Sequence, residues 1–150
     1  MGRIEGRSTM YKKTLEYEDF NGEKVKEDLY FNLSKAELME MNFRTKGGLK
    51  NYIESIINAN DQNTLTDIFK TLLLKSFGIK TPDGRRFMKN DQIREDFECS
   101  IPYDIMFTTL STDAKEAAAF INGIIPKELV EEMDKVEMPA EYKELVDSIK

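Results

Sequence analysis

The chain has 150 residues, 28 acidic against 22 basic, with a formal charge of −6, one cysteine and no histidine or tryptophan. An acidic balance without a clustered Lys/Arg stripe argues against nucleic-acid binding through phosphates, and no apolar run approaches the roughly 20 residues of a membrane span. The missing histidine removes the usual general base and the commonest metal ligand, while a lone Cys99 forbids an internal disulfide and fits a reducing compartment.

Ile4-Glu5-Gly6-Arg7 is the cleavage sequence of a common processing protease, and Met10 restarts the frame, so residues 1–9 read as an expression tag and are set aside. With Arg3, Arg7 and Glu5 removed, 20 basic and 27 acidic residues remain. What is left is enough for one domain that buries roughly two-thirds of its unfolded surface. No signal peptide is visible, and a cytosolic protein is the default expectation.

Leu15 and Tyr17 alternate with Thr14, Glu16 and Glu18 before Asn21-Gly22, a strong hairpin signal. Val25 and Leu29 alternate with charges after it. Two antiparallel strands are predicted, at about Tyr11 to Asp19 and Glu23 to Phe31. A lone hairpin is marginal in water, so its apolar face must pack on helices or on another subunit.

Ser34-Lys35-Ala36-Glu37 is a capping box with Leu33 as the hydrophobic staple, and it opens a first helix. Gly47-Gly48 breaks the chain, and Leu49, Tyr52, Ile53, Ile56 and Ile57 then recur at helical spacing. The longest helix is predicted from Asp61 or Asn63, with Leu65, Ile68, Phe69, Leu72, Leu73 and Phe77 on one apolar face. Thr81-Pro82-Asp83-Gly84 has type I turn chemistry. Short helices follow from Asn90 or Asp91, from Ser100 with Pro102 in its first turn, and from Thr112 or Asp113 through an alanine-rich stretch closed by Gly123. Pro126 and Pro139 each open a last short helix.

The expected fold is mostly α (α+β): an N-terminal β-hairpin followed by a compact bundle of about six to eight short helices. Residues 10–125 form the domain, hairpin over 10–33 and helices over 34–125, with a C-terminal helical tail over 126–150.

Few residues invite a chemical assignment. Thr81 to Arg85 has one glycine and two arginines, but a phosphate loop needs two glycines and a Lys-Ser/Thr pair before a helix. Arg85 and Arg86 are better suited to surface ion pairs or an acidic partner. Asp91, Glu95, Asp96 and Glu98 form an acidic run that reads as a solvated helix face rather than a metal or acid–base site. Cys99 lacks a histidine to activate it and reads as a small buried apolar residue. Ala117-Ala118-Ala119 with Gly123 allow close helix approach within the domain. Most methionines are core filler, whereas Met133 and Met138 fall where the core has ended and suit an adaptable partner surface. No cofactor is expected.

The order and spacing of several of these motifs resemble the tail assembly chaperones of long-tailed bacteriophages and prophages of Gram-positive bacteria. The resemblance runs from Met10 to about Pro126. It is carried by Tyr11-Lys12-Lys13-Thr14-Leu15, Phe31-Asn32-Leu33-Ser34-Lys35-Ala36-Glu37-Leu38, Leu74-Lys75-Ser76-Phe77-Gly78, Pro82-Asp83-Gly84-Arg85-Arg86-Phe87, and Ala119-Phe120-Ile121-Asn122-Gly123-Ile124-Ile125-Pro126.

What the resemblance implies is a non-enzymatic role in the host bacterial cytoplasm. Such proteins bind the long tape measure protein, keep it soluble, help tail tube protein assemble around it and are generally absent from the finished virion. Many also exist in a longer, frameshifted form. A holdase of this kind needs an apolar groove with a charged exterior, expected here between the Leu65 to Phe77 helix and the later helices. Arg85 and Arg86 would stand at its rim, Met133 and Met138 would offer further contact, and a homo-oligomer would form through the hairpin at Tyr17 and Leu29. The alternative is an acidic phage-encoded inhibitor or adaptor that binds a host protein. The interspersed charges of both signs weigh against its DNA-mimicking form, and the lack of a nucleophile–base pair weighs against an enzyme.

Overall fold

A computed structural model describes residues 10–44 and 62–126. Strands β1 (Tyr11–Glu18) and β2 (Lys24–Phe31) pair antiparallel, with Tyr11 opposite Phe31 and Glu18 opposite Lys24. The turn between them is locked by Asp19, whose Oδ1 accepts from the backbone N–H of Asn21 at 2.8 Å and of Glu23 at 2.9 Å. Gly22 takes φ of 83°, the left-handed conformation that closes a three-residue hairpin loop. The two faces differ as the alternation requires. On the outer face Thr14 Oγ1 donates to Asp28 at 2.7 Å and Glu16 stands opposite Lys26, while Leu15, Leu29 and Phe31 are buried on the inner face.

The capping box forms in both directions. Glu37 N–H donates to Ser34 Oγ at 3.1 Å, and Ser34 N–H donates to Glu37 Oε1 at 2.8 Å, which starts α1 (Lys35–Arg44). Leu33 and Leu38, on either side of the cap, are both buried in the core. Helix α2 (Gln62–Ser76) buries Ile68, Phe69, Leu72 and Leu73.

Two expectations fail after α2. The helix does not run through Phe77, and the sheet is not limited to a hairpin. Ser76 Oγ donates back to Leu72 O at 2.6 Å, Ser76 O accepts from Asn32 N–H at 2.7 Å, and the chain continues as β3 (Phe77–Lys80) beside β2. The turn at Pro82 then returns it as β4 (Phe87–Met88), completing one four-stranded sheet in the order β1-β2-β3-β4. The physical reason is the free edge of β2: its backbone groups need partners, and Gly78 is a poor residue for prolonging a helix. In the turn, Gly84 N–H donates to Thr81 O at 2.9 Å, Thr81 N–H to Arg86 O at 2.9 Å, and Gly84 has φ of 74°.

Three short helices complete the described chain. Asn90 caps α3 (Asp91–Glu98), Ser100 caps α4 (Ile101–Thr112) and Asp113 caps α5 (Ala114–Ile124), each side chain accepting from backbone N–H groups of the first turn. Gly123 does not close α5; the helix runs on to Ile124. Five helices are described, not six to eight, and the fold is mixed α+β. The helices expected near Leu49 to Ile57, from Pro126 and from Pro139 lie outside the described residues.

Helix α2 packs against α4, α4 against α5, and both α4 and α5 reach β1. Phe31 is at the centre with no exposed surface, in edge contact with Phe77 at 5.7 Å, Phe97 at 5.8 Å and Phe120 at 5.5 Å. Such pairs add about 0.5–1.5 kcal/mol each beyond the area they bury. A polar clamp joins the ends of β2, α2 and β4 to the start of α1. Lys89 Nζ donates at 2.8 Å to Asn32 O, Lys75 O and both Glu37 carboxylate oxygens. Burial pushes this amine below its ordinary value, against the pull of Glu37.

Candidate functional site

The acidic run on α3 is a solvated helix face. Asp91 pairs with Arg94, Asp96 accepts from Gln92 Nε2 at 2.8 Å, and Glu98 pairs with Lys70 at 3.2 Å. Cys99 is exposed at the C-terminal cap of α3, contrary to the buried position expected for it. A helix ends there, so the residue faces solvent as the chain turns toward Ser100. Ala117 is fully buried in α5, while Ala118 is half-buried and Ala119 exposed.

Arg85 and Arg86 are exposed in the β3–β4 turn, where their backbone N–H groups are held by Asp83 Oδ1 at 3.0 Å and Thr81 Oγ1 at 3.1 Å. Met133 and Met138 lie outside the described residues. Tyr17 is half-buried on the inner face of β1, and its hydroxyl donates to Glu27 Oε1 at 2.5 Å. That bond holds the proton and pushes the phenol pKa up to about 12. Leu29 is only 3% exposed and belongs to the core. The structure therefore places Tyr17 and Leu29 on one face of the hairpin but in different environments.

The space between α2 and the later helices is filled by a single core cluster containing Phe69, Leu73, Met106 and Leu110. An opening lies elsewhere, between the inner face of β2–β3 and the α3–α4 corner. Its volume is about 200 Å³. Leu29, Phe77 and Phe97 make the floor, with the two phenyl rings stacked at 4.0 Å between centroids and 8° between planes. Ile93 and Pro102 line the helical side, and Ile79 stands on the sheet side at 52% exposure. Met88, directly opposite Ile79 across the β3–β4 ladder, is 42% exposed, so the apolar surface continues beyond the cavity. Glu27 on β2 and Asp96 on α3 also line the opening. Neither carboxylate has an ion-pair partner among the described residues.

The opening combines an apolar floor, an exposed apolar shoulder and two acidic groups at the margin. Such a combination of concave apolar lining with a few polar groups is the usual form of a recognition site. A family model described as phage tail assembly chaperone matches residues 10–148. The chain belongs to that family. The match extends past Pro126, the end of the stretch that carried the resemblance in the sequence. No curated protein and no solved structure matches the chain. Membership in the tail assembly chaperones implies a non-enzymatic role and partners among phage tail proteins. Among the described residues no helix is long and apolar enough to cross a membrane.

Glu27 and Ile79 are groove residues that the sequence did not single out, and Asp96 was read there only as part of a solvated acidic face. Ile79 carried a signal, since Phe77 and Ile79 flank Gly78 in the alternation of a strand. Nothing in the sequence joined Glu27 to Asp96, because they stand 69 positions apart and only the sheet order with the seating of α3 brings them to one opening.

Proposed function

We propose that this tail assembly chaperone binds the tape measure protein in the host bacterial cytoplasm, keeps it soluble and promotes assembly of tail tube protein around it, without remaining in the finished virion. The observation that carries this reading is the apolar groove with its exposed Ile79–Met88 shoulder on a chain of net negative charge. A holdase for amphipathic segments needs such a surface, and the net negative charge keeps the loaded complex dispersed. Arg85 and Arg86, in the turn next to Met88, offer cations to the same partner, and Met133 and Met138 a second, adaptable contact. A homo-oligomer forms through the Tyr17 end of the hairpin, with Leu29 supporting that face from the core. Co-expression with the cognate tape measure protein tests the central claim. Increased solubility of the tape measure protein and co-purification are expected; neither appearing overturns it. Replacing Tyr17 by a charged residue lowers the light-scattering mass if the hairpin is the self-association surface, and an unchanged mass refutes that part.

A further inference from the structure

We propose that the groove between β3 and α3 docks one apolar side chain of an amphipathic helix that carries a lysine or arginine one turn from that anchor. The proposal deepens the chaperone reading and rests on it for the owner of the helix, which would be a tail protein. The site itself rests on three observations: the size of the cavity, its position on a sheet face, and the charge at its margin.

The cavity measures about 200 Å³. An apolar cavity of roughly 150 Å³ is enough to hold a benzene ring, so this one takes a single leucine, methionine or phenylalanine side chain. The shoulder formed by Ile79 and Met88 then needs a second apolar residue beside the anchor, and a helix supplies one three or four positions away on the same face. A helix is also what the location demands. The groove opens on the face of the sheet, beside the Tyr30–Gly78 and Phe31–Phe77 pairs of β2 and β3, and backbone hydrogen bonds run in the plane of the sheet rather than out of its face. A segment lying there gains no strand partner, so it must satisfy its own N–H and C=O groups.

The margin selects the charge. Glu27 and Asp96 stand on the sheet and helix sides of the opening, and an apolar residue seated between them covers part of their solvation. Leaving a carboxylate desolvated without a counter-charge is costly. A cation one turn from the anchor removes that cost, while an acidic residue there adds repulsion.

The test uses the full chain and two synthetic helical peptides with the same leucine spacing. One carries lysines flanking the anchor leucine; the other carries glutamates in their place. Calorimetric titration is expected to show the lysine peptide binding at least about tenfold tighter, with a preference that shrinks as salt rises. The double change Glu27→Lys with Asp96→Lys inverts the preference, and Ile79→Asp weakens both peptides. All three positions are exposed, and unchanged circular dichroism confirms folding of the variants. Saturable binding by neither peptide, equal binding by both, or binding unaffected by the charge swap overturns the proposal. A parallel capture of the cognate tape measure protein separates the two claims. Equal capture by wild type and the charge-swapped variant rejects the groove and keeps the chaperone reading. Lysine-peptide binding without capture keeps the groove and rejects its assignment to the tape measure protein.

Discussion

Gly123 lies against the side chain of Tyr11: a Cβ at Gly123 would sit 2.6 Å from Tyr11 Cδ1 and 3.1 Å from its Cβ. The last turn of α5 and the first residue of β1 approach this closely because position 123 has no side chain. Tyr11 is held in turn by an edge contact with Phe120 at 5.3 Å, so it is not free to swing away. The close-approach role expected of the small-residue stretch is real at this position, although the glycine does not stop the helix.

Gly123→Ala sets two effects against each other. Alanine is favoured over glycine inside a helix by about 1 kcal/mol. The clash falls on the base of the Tyr11 side chain and forces the strand or helix to shift, an overpacking cost of about 1–3 kcal/mol. The clash is expected to win, with a net loss of up to about 2 kcal/mol in urea unfolding. A stabilised variant would show that α5 and β1 separate without cost.

Lys89 predicts how firmly β4 is tied to the end of β2, where its ammonium reaches Asn32 O. Its ammonium serves two backbone carbonyls and the Glu37 carboxylate, which also closes the α1 capping box. Lys89→Met keeps the aliphatic stem but strands those acceptors. The Glu37 side chain keeps 35% of its exposure, so the loss is smaller than for a fully buried pair, about 2 kcal/mol. A midpoint unchanged in chemical denaturation would mean that water replaces the clamp.

Sequence patterns captured the parts of this fold that are decided locally. The β1–β2 hairpin and the caps at Ser34, Asn90, Ser100 and Asp113 each depend on side chains within five positions of the backbone they hold. Phe77 was ambiguous, because its spacing from Leu73 fits a helix and its spacing from Ile79 fits a strand. Pairing with Phe31 across the β2 edge settles the matter, and that partner is distant in sequence. The groove was illegible for the same reason: Leu29, Phe77 and Phe97 become one floor only through the sheet order and the seating of α3.

Tyr17 gives a pH-dependent prediction. Its phenol is raised from an ordinary 10.0 to about 12 by donating to Glu27. The folded chain therefore holds the proton more tightly than the unfolded one. The resulting stability is fully present below pH 10 and is lost as pH rises through about 12. Tyr17→Phe is expected to cost under about 1 kcal/mol near neutrality and to flatten the alkaline loss. In a tyrosinate absorbance titration it removes the highest-pH component. A wild-type titration without a late component would refute the assignment.

Gly78 links fold and function most directly. A Cβ there would meet Phe87 Cε2 at 2.8 Å and Met88 O at 2.9 Å. The ring is a side chain that can turn aside, but the carbonyl belongs to the β4 backbone and cannot yield without moving the strand. Gly78→Ala is therefore expected to push β4 off β3 and to cost about 1–3 kcal/mol. The Ile79–Met88 pair that forms the groove's shoulder moves with it. Hydrogen exchange should then show lost protection in the β3–β4 ladder while the β1–β2 ladder stays protected, because β1 and β2 pair along their full length independently of β4. Partner capture should fall in the same variant. Retained protection with lost capture would mean that Gly78 contacts the partner itself, and retained capture with a displaced β4 would remove the shoulder from the binding surface.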